Sequence, residues 1–123
     1  MKAAVVGCGA WGTALAIRLC RNGHDVTMWC HDPKRIPAME ATRHNPRLPG
    51  AMLPENLRIS SDYACVQGCR LVVMASPSSP IRAVSNAVAP YIDTDAVVAS
   101  VTKGLETDTH LRMTQVVAEA IGR

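Results

Sequence analysis

The stretch "AAVVGCGAWGTALA", residues 3–16, decides the fold. The apolar run from Lys2 to Val6 has the make-up of a short buried strand, and it leads straight into Gly7, Gly9 and Gly12. In such a loop the first glycine permits a tight turn and the second lets an anion approach the backbone. The third allows a helix to pack closely on the strand. From Trp11 to Asn22 the spacing turns helical, with Gly12, Leu15, Ala16, Leu19 and Cys20 on one face and Arg18 and Arg21 opposite. Gly23 is a natural stop. Alone, the glycine triplet is a weak signal that an ordinary α/β turn also satisfies. Strand, loop and helix in register make it a pyrophosphate-binding pattern, because a helix N-terminus offers free N–H groups and a positive dipole end.

The same alternation continues outward. Asp25 to Trp29 reads as a second strand, and Asp32-Pro33 as an N-cap and first helical residue of a helix reaching about Thr42. From Arg43 to Asn56 helical spacing fails, and Pro46, Pro49 and Pro54 punctuate an irregular stretch of a length that is often functional. Leu57 to Ser60 is a short edge strand, and Ser61-Asp62 caps a brief helix ending near Gly68. "RLVVMA", Arg70 to Ala75, and "AVVASV", Ala96 to Val101, are two more strands. A helix between them starts near Pro80 with Ile81, Val84, Ser85 and Val88 at helical spacing. The last carries Met113, Val116, Val117, Ala120 and Ile121, with Gly122 as its cap. Five strands alternating with helices give an α/β, doubly wound parallel sheet of the Rossmann type with helices on both faces. Right-handed crossovers set its order as 3-2-1-4-5. The switch point then lies between the first and fourth strands, and ligand is expected across "GCGAWG" and "ASPSS".

Composition agrees with one packed domain spanning residues 1–123. Apolar residues reach 48% while aromatics are 3% and Phe is absent, so the core is aliphatic, as in strands covered on both faces. The 13 Lys and Arg are scattered and the net charge is only +3, which argues against nucleic acid as a partner. No apolar run approaches the ~18 residues of a membrane span, and the N-terminus lacks the long apolar region of a signal peptide. The five cysteines are Cys8, Cys20, Cys30, Cys65 and Cys69. An odd count without C-x-x-C pairs speaks against a disulfide framework and against a metal site, and fits free thiols in a cytoplasmic protein.

Cofactor choice in such folds is written at the end of the second strand, where an acid accepts the ribose 2′-hydroxyl of NAD. In "VTMWCHDP" the strand ends on Cys30 and His31, and Asp32 is committed to capping. A 2′-phosphate would meet no carboxylate there and His31 can donate to it, so NADPH is favoured over NADH, with the choice left open. Pro77 and Ser78 of "ASPSS" stand at the switch point, where the plainer role of the serines is helix capping. Lys103 of "SVTKG" ends the fifth strand facing the same edge, suited to an anionic substrate. Cys8 sits in the glycine loop, where a helix N-terminus lowers a thiol's pKa; its plainer role is a small side chain in a tight loop. His24, His44 and His110 read as surface residues.

"GCGAWGTALA", "WCHDP", "LPG…LPENL", "ASPS" and "VTKGLE" together resemble the bacterial NAD(P)-dependent glycerol-3-phosphate dehydrogenases, over essentially the whole chain and in the same order. The resemblance implies hydride transfer between a nicotinamide cofactor and glycerone phosphate, giving glycerol 3-phosphate for phospholipid synthesis, in a cytoplasmic homodimer. It implies that Ala10 and Trp11 touch the cofactor beside its pyrophosphate, that His31 meets the adenine-ribose end, and that Lys103 contacts both cofactor and substrate. Ala10 stands where the family often has Ser, and "NPRLPG" lacks the Tyr usual before Leu-Pro-Gly. The family's general acid/base lysine and a Gly-Pro-Ser motif belong to a helical second domain that has no counterpart in this chain. The catalytic group is therefore expected outside these residues, and residues 1–123 alone are expected to be inactive. Two rivals are a ketopantoate- or pyrroline-type reductase of the same clan and a nucleotide-sensing module without catalysis. "WGTALA" with "TKG" speaks against the first, and the missing acid at Cys30 and His31 against the second.

Overall fold

Apolar strands alternate with amphipathic helices along the whole chain, and in the computed structural model, which describes residues 1–122, they wind into one sheet. The strands are β1 (Lys2–Val6), β2 (Asp25–Trp29), β3 (Arg58–Ser60), β4 (Leu71–Met74) and β5 (Val97–Ser100). They pair in parallel in the order β3-β2-β1-β4-β5, as the crossover rule predicts. The helices are α1 (Ala10–Arg21), α2 (Ile36–Thr42), α3 (Ile81–Val88) and α4 (Met113–Ile121).

β1 is the centre, and its side chains explain the two layers. Ala3 and Val5 point to one face and Ala4 and Val6 to the other, all fully buried. The first face packs with Ala16, Ile17 and Cys20 of α1 and with Met39, Leu53 and Leu57. The second packs with Ile81, Val84 and Val88 of α3 and with Met113, Val116 and Val117 of α4. Burying valines such as Val5 and Val6 stabilises by about 1.5–3 kcal/mol each. No polar residue could take those places cheaply.

The strand ends are flush where it matters. Val6 lies opposite Trp29 and Met74, and Met74 opposite Ser100. The chain therefore leaves β1, β2, β4 and β5 at one edge, through Gly7, Cys30, Ala75 and Val101.

Several element ends differ from the sequence reading. α1 starts at Ala10 because Gly9 takes the N-cap position, and β3, β4 and β5 are each trimmed where their flanks turn away. The Asp32-Pro33 helix is broken into a 3-10 turn (Pro33–Arg35) and α2. Asp32 caps the turn by accepting from the Lys34 N–H at 3.0 Å, and Pro37 supplies no N–H to continue an α-helical ladder back to Pro33. The helix expected after Asp62 is likewise a 3-10 turn, Tyr63–Val66, capped at 2.9 Å through the Ala64 N–H. At α3 the serines do not cap: Pro80 holds the N-cap position without a side-chain bond.

Residues 43–56 form no helix or strand, yet they are pinned. Arg43 adopts a left-handed backbone and its guanidinium donates to the carbonyls of Leu53, Pro54 and Leu57. A single bridge joins His44 to Met52.

Candidate functional site

The glycine loop fills the gap between β1, α1 and the end of β4. Gly7 has φ +136°, and a Cβ there would stand 2.7 Å from the Ala75 backbone. A Cβ on Gly12 would press into the Gly7 carbonyl, which lets α1 lie directly against β1. Gly9 is different: nothing lies within 4 Å of where its Cβ would be. Two glycines are required by the protein's own packing, and the third leaves open space at the N-terminus of α1. The first turn of α1 contains no acidic residue, and its N–H groups lack partners inside the helix.

That space opens into a cleft of about 960 Å³. Every site residue named from the sequence lines it: Gly7, Gly9, Ala10, Trp11 and Gly12 from the loop, His31 beyond β2, Pro77 and Ser78 beyond β4, and Lys103 beyond β5. Trp11 is 60% exposed and forms a wall of the cleft. His24, His44 and His110 do not line it. His24 meets the N-terminal amine at 3.2 Å, and the His44 ring meets the Ala51 carbonyl at 3.2 Å.

Side-chain hydroxyls lace the strand ends together. Ser76 donates to the Val6 carbonyl at 3.1 Å, and Thr102 donates to the Ser76 carbonyl at 2.6 Å. This fixes the loops after β1, β4 and β5 relative to one another and places Lys103 next to the switch point. Ser76 thus serves the cleft floor rather than a helix cap.

Three residues that sequence reasoning missed, and a fourth whose contact it missed, shape the other side. Asn45 is 1% exposed, and its amide donates to the Cys8 carbonyl at 2.9 Å and the Thr13 hydroxyl at 2.8 Å. Its carbonyl accepts from the Arg35 guanidinium at 2.9 Å and from the Arg47 N–H at 3.0 Å. All of this side chain's ordinary bonding capacity is used. Arg35 and Arg47 thereby join His31 and Asp32 on the cleft wall, so that two guanidinium groups stand beside one carboxylate at the end of β2. The fourth is Cys30. Its sulfur lies 2.7 Å from that of Cys8, and both are free thiols. A hydrogen bond from Cys30 lowers the Cys8 thiol against the opposing effect of burial, with help from Arg35. The same contact, then burial, pushes Cys30 up. Asn-Pro at residues 45–46 reads in sequence only as a turn, and nothing in the sequence brings Cys8 and Cys30 together.

Among the described residues no group of three or more His, Cys, Asp or Glu is placed to hold a metal, and no helix is long and apolar enough to cross a membrane.

Parallel order, glycine loop and a cleft at the β1–β4 switch define the class: a Rossmann-type domain. Comparison with known proteins narrows it. Residues 2–123 match the family model described as the N-terminus of NAD-dependent glycerol-3-phosphate dehydrogenase, and the chain belongs to that family. It is 42% identical over 121 residues to the glycerol-3-phosphate dehydrogenase (NAD(P)+) of Yersinia pestis strain Pestoides F, covering 97% of this chain and 36% of that protein. The chain thus spans about a third of the length of the curated relatives it matches. The crystal structure of glycerol-3-phosphate dehydrogenase from Coxiella burnetii superposes with a TM-score of 0.88 at 33% identity, over 99% of this chain and 38% of the other. A ketopantoate reductase from Ralstonia eutropha JMP134 is less similar, with a TM-score of 0.71 at 26% identity over 99% of this chain and 37% of the other.

Proposed function

We propose that residues 1–123 form the dinucleotide-binding domain of an NAD(P)-dependent glycerol-3-phosphate dehydrogenase that interconverts glycerone phosphate and sn-glycerol 3-phosphate, with NADPH as the favoured cofactor. The observation that carries this reading is the convergence in one cleft of the open glycine at the start of α1, the cationic end of β2, and Lys103.

The residues fit the cofactor. Gly9 leaves room for a pyrophosphate against backbone N–H groups that face no acidic side chain in the first turn of α1. At the end of β2, where NAD-preferring sites place an acid, the strand gives way to Cys30 and His31, and the cleft wall beyond carries Asp32, Arg35 and Arg47. The carboxylate of Asp32 is occupied by the Lys34 N–H at 3.0 Å. A 2′-phosphate finds two guanidinium groups there against the one carboxylate of Asp32. A bound reduced nicotinamide supplies the hydride.

Lys103 brings positive charge to the opposite end of the cleft, where it serves both the cofactor and an anionic substrate. Ser76 and Thr102 hold the loops that carry it, and the apolar face of Trp11 helps to keep water out once the cleft is covered. Ketone reduction also needs a proton donor at the developing alkoxide. That role belongs to a lysine in a helical second domain, so residues 1–123 alone bind dinucleotide and reduce nothing. The whole enzyme acts as a homodimer in the cytoplasm and feeds phospholipid synthesis.

Calorimetric titration with NADPH and NADH tests this. NADPH is expected to bind roughly tenfold or more tightly, the scale of one charged hydrogen bond. His31→Ala should shrink that advantage while leaving NADH affinity nearly unchanged, whereas Arg35→Met, which also takes a partner from the buried Asn45 carbonyl, should erase it and weaken both cofactors. Equal affinities in the unsubstituted chain refute the cofactor preference, and failure to bind either refutes the domain assignment.

A further inference from the structure

We propose that Cys8 and Cys30 are an oxidation site built into the floor of the cleft: a hydroperoxide converts them to a disulfide, and the disulfide weakens dinucleotide binding. The second half of this statement rests on the cofactor reading above.

The pair is made by the fold. Val6 lies opposite Trp29 in the β1–β2 ladder, and the Gly7 N–H bonds the Trp29 carbonyl at 3.1 Å, so the chain leaves the two strands side by side. Their sulfurs are 2.7 Å apart, against about 2.05 Å in a disulfide. Closure asks for a sub-ångström shift. The two thiols are unequal in access. Cys8 is 7% exposed and lines the cleft, whereas Cys30 is fully buried behind it. The Arg35 guanidinium lies 3.5 Å from the Cys8 sulfur, where it favours a thiolate. The Cys8 thiol is accordingly held below its ordinary value, first by the Cys30 contact and then by Arg35. The remaining thiols point the other way: burial raises Cys20 and Cys69 and pushes Cys65 up to about 11.

The chemistry balances with one peroxide. The Cys8 thiolate attacks a peroxide oxygen and the O–O bond breaks. Sulfur is oxidised by two electrons to the sulfenic acid, and the departing oxygen takes a proton to leave as water or an alcohol. The Cys30 sulfur then attacks Cys8; the S–S bond forms, the S–O bond breaks, and the hydroxyl leaves as water with the Cys30 proton. Binding suffers because Cys8 is itself a residue of the glycine loop. Its carbonyl accepts from Thr13 at 3.3 Å and Asn45 at 2.9 Å, so rotating Cys8 toward β2 disturbs the backbone next to Gly9.

The test treats the protein with hydrogen peroxide, quenches it, and maps unreduced peptides by mass spectrometry while NADPH affinity is measured in parallel. The expected result is a Cys8–Cys30 crosslink, lighter by two hydrogens, with NADPH affinity down about fivefold or more and restored by dithiothreitol. Saturation with NADPH beforehand should slow crosslinking, because Cys8 reaches solvent through the cleft. In Cys30→Ala the crosslink should vanish and dimedone should instead label Cys8. A missing crosslink in protein that binds NADPH overturns the oxidation site, and a crosslinked protein that binds as tightly as the reduced one overturns its effect. Reduced protein that binds no dinucleotide overturns the cofactor reading instead, while the crosslink is still read by mass.

Discussion

The two walls of the cleft are held in different ways. On the β2 side, Asn45 joins the glycine loop, α1 and two arginines through buried hydrogen bonds. On the β5 side, beyond the Thr102–Ser76 bond, residues 103–112 hang on a half-buried charge network in which Arg82 grips Glu106 at 2.7 and 2.9 Å and the exposed Glu119 at 2.9 Å. A buried hydrogen bond, once broken, leaves groups that water cannot reach, whereas an ion pair within reach of water is screened and replaceable. The first wall is therefore a fixed anion cradle. The second presents its charge, Lys103, from an exposed segment tied by replaceable contacts.

The most damaging way to break this contrast is at the contact of α1 with β1. Gly12→Ala sets a methyl group against the Gly7 carbonyl, and backbone cannot step aside as a side chain can. A loss of about 3 kcal/mol in urea unfolding is expected, with dinucleotide binding abolished. Asn45→Ala should cost somewhat less, about 2 kcal/mol, by removing the shorter of the two hydrogen bonds to the Cys8 carbonyl and freeing Arg35. It should also cut NADPH affinity, and an unchanged unfolding midpoint would show that the β2 wall is not held from within. The mildest is Glu106→Gln. Hydrogen bonds from Arg82, then Thr109, hold the Glu106 carboxyl down at about 2, from an ordinary 4.5. A lowered acid stabilises the fold fully above its unfolded pKa and less as pH falls through its folded one. The difference in Tm between wild type and Glu106→Gln should accordingly be largest above about pH 4.5 and shrink toward pH 2. A difference that persists at pH 2 would mean that the β5 wall depends on more than this charge pair.

Much of this is legible in the sequence, for reasons that differ by residue. The strands are legible as short apolar runs between helical stretches, because β1 and β4 tolerate only apolar residues on both faces, and the crossover rule then sets their order. The glycine loop is legible because Gly7 and Gly12 answer to sterics a few residues away. Asn45 is not, since its partners Cys8 and Thr13 lie more than 30 residues earlier and meet it only when the 43–56 segment folds back. The Cys8–Cys30 contact hides for the same reason, emerging from the β1–β2 register. The resemblance finds His31 and Lys103 but passes over Arg35 and Arg47, whose side chains reach the cleft from a 3-10 turn and an irregular loop.

The pairing of β1 with β4 also bears on how the molecule is made. Of the five strands β1 is synthesised first yet becomes the central one, with Leu71–Met74 along one side. It can dock on β2 as soon as Trp29 has emerged, but its other edge stays open until some seventy residues have followed. The cradle is closed by Ala75, against which Gly7 is fitted. A nascent chain therefore carries its most distinctive loop before the strands that flank it exist, and gains a working pocket only after more than half of these residues have left the ribosome.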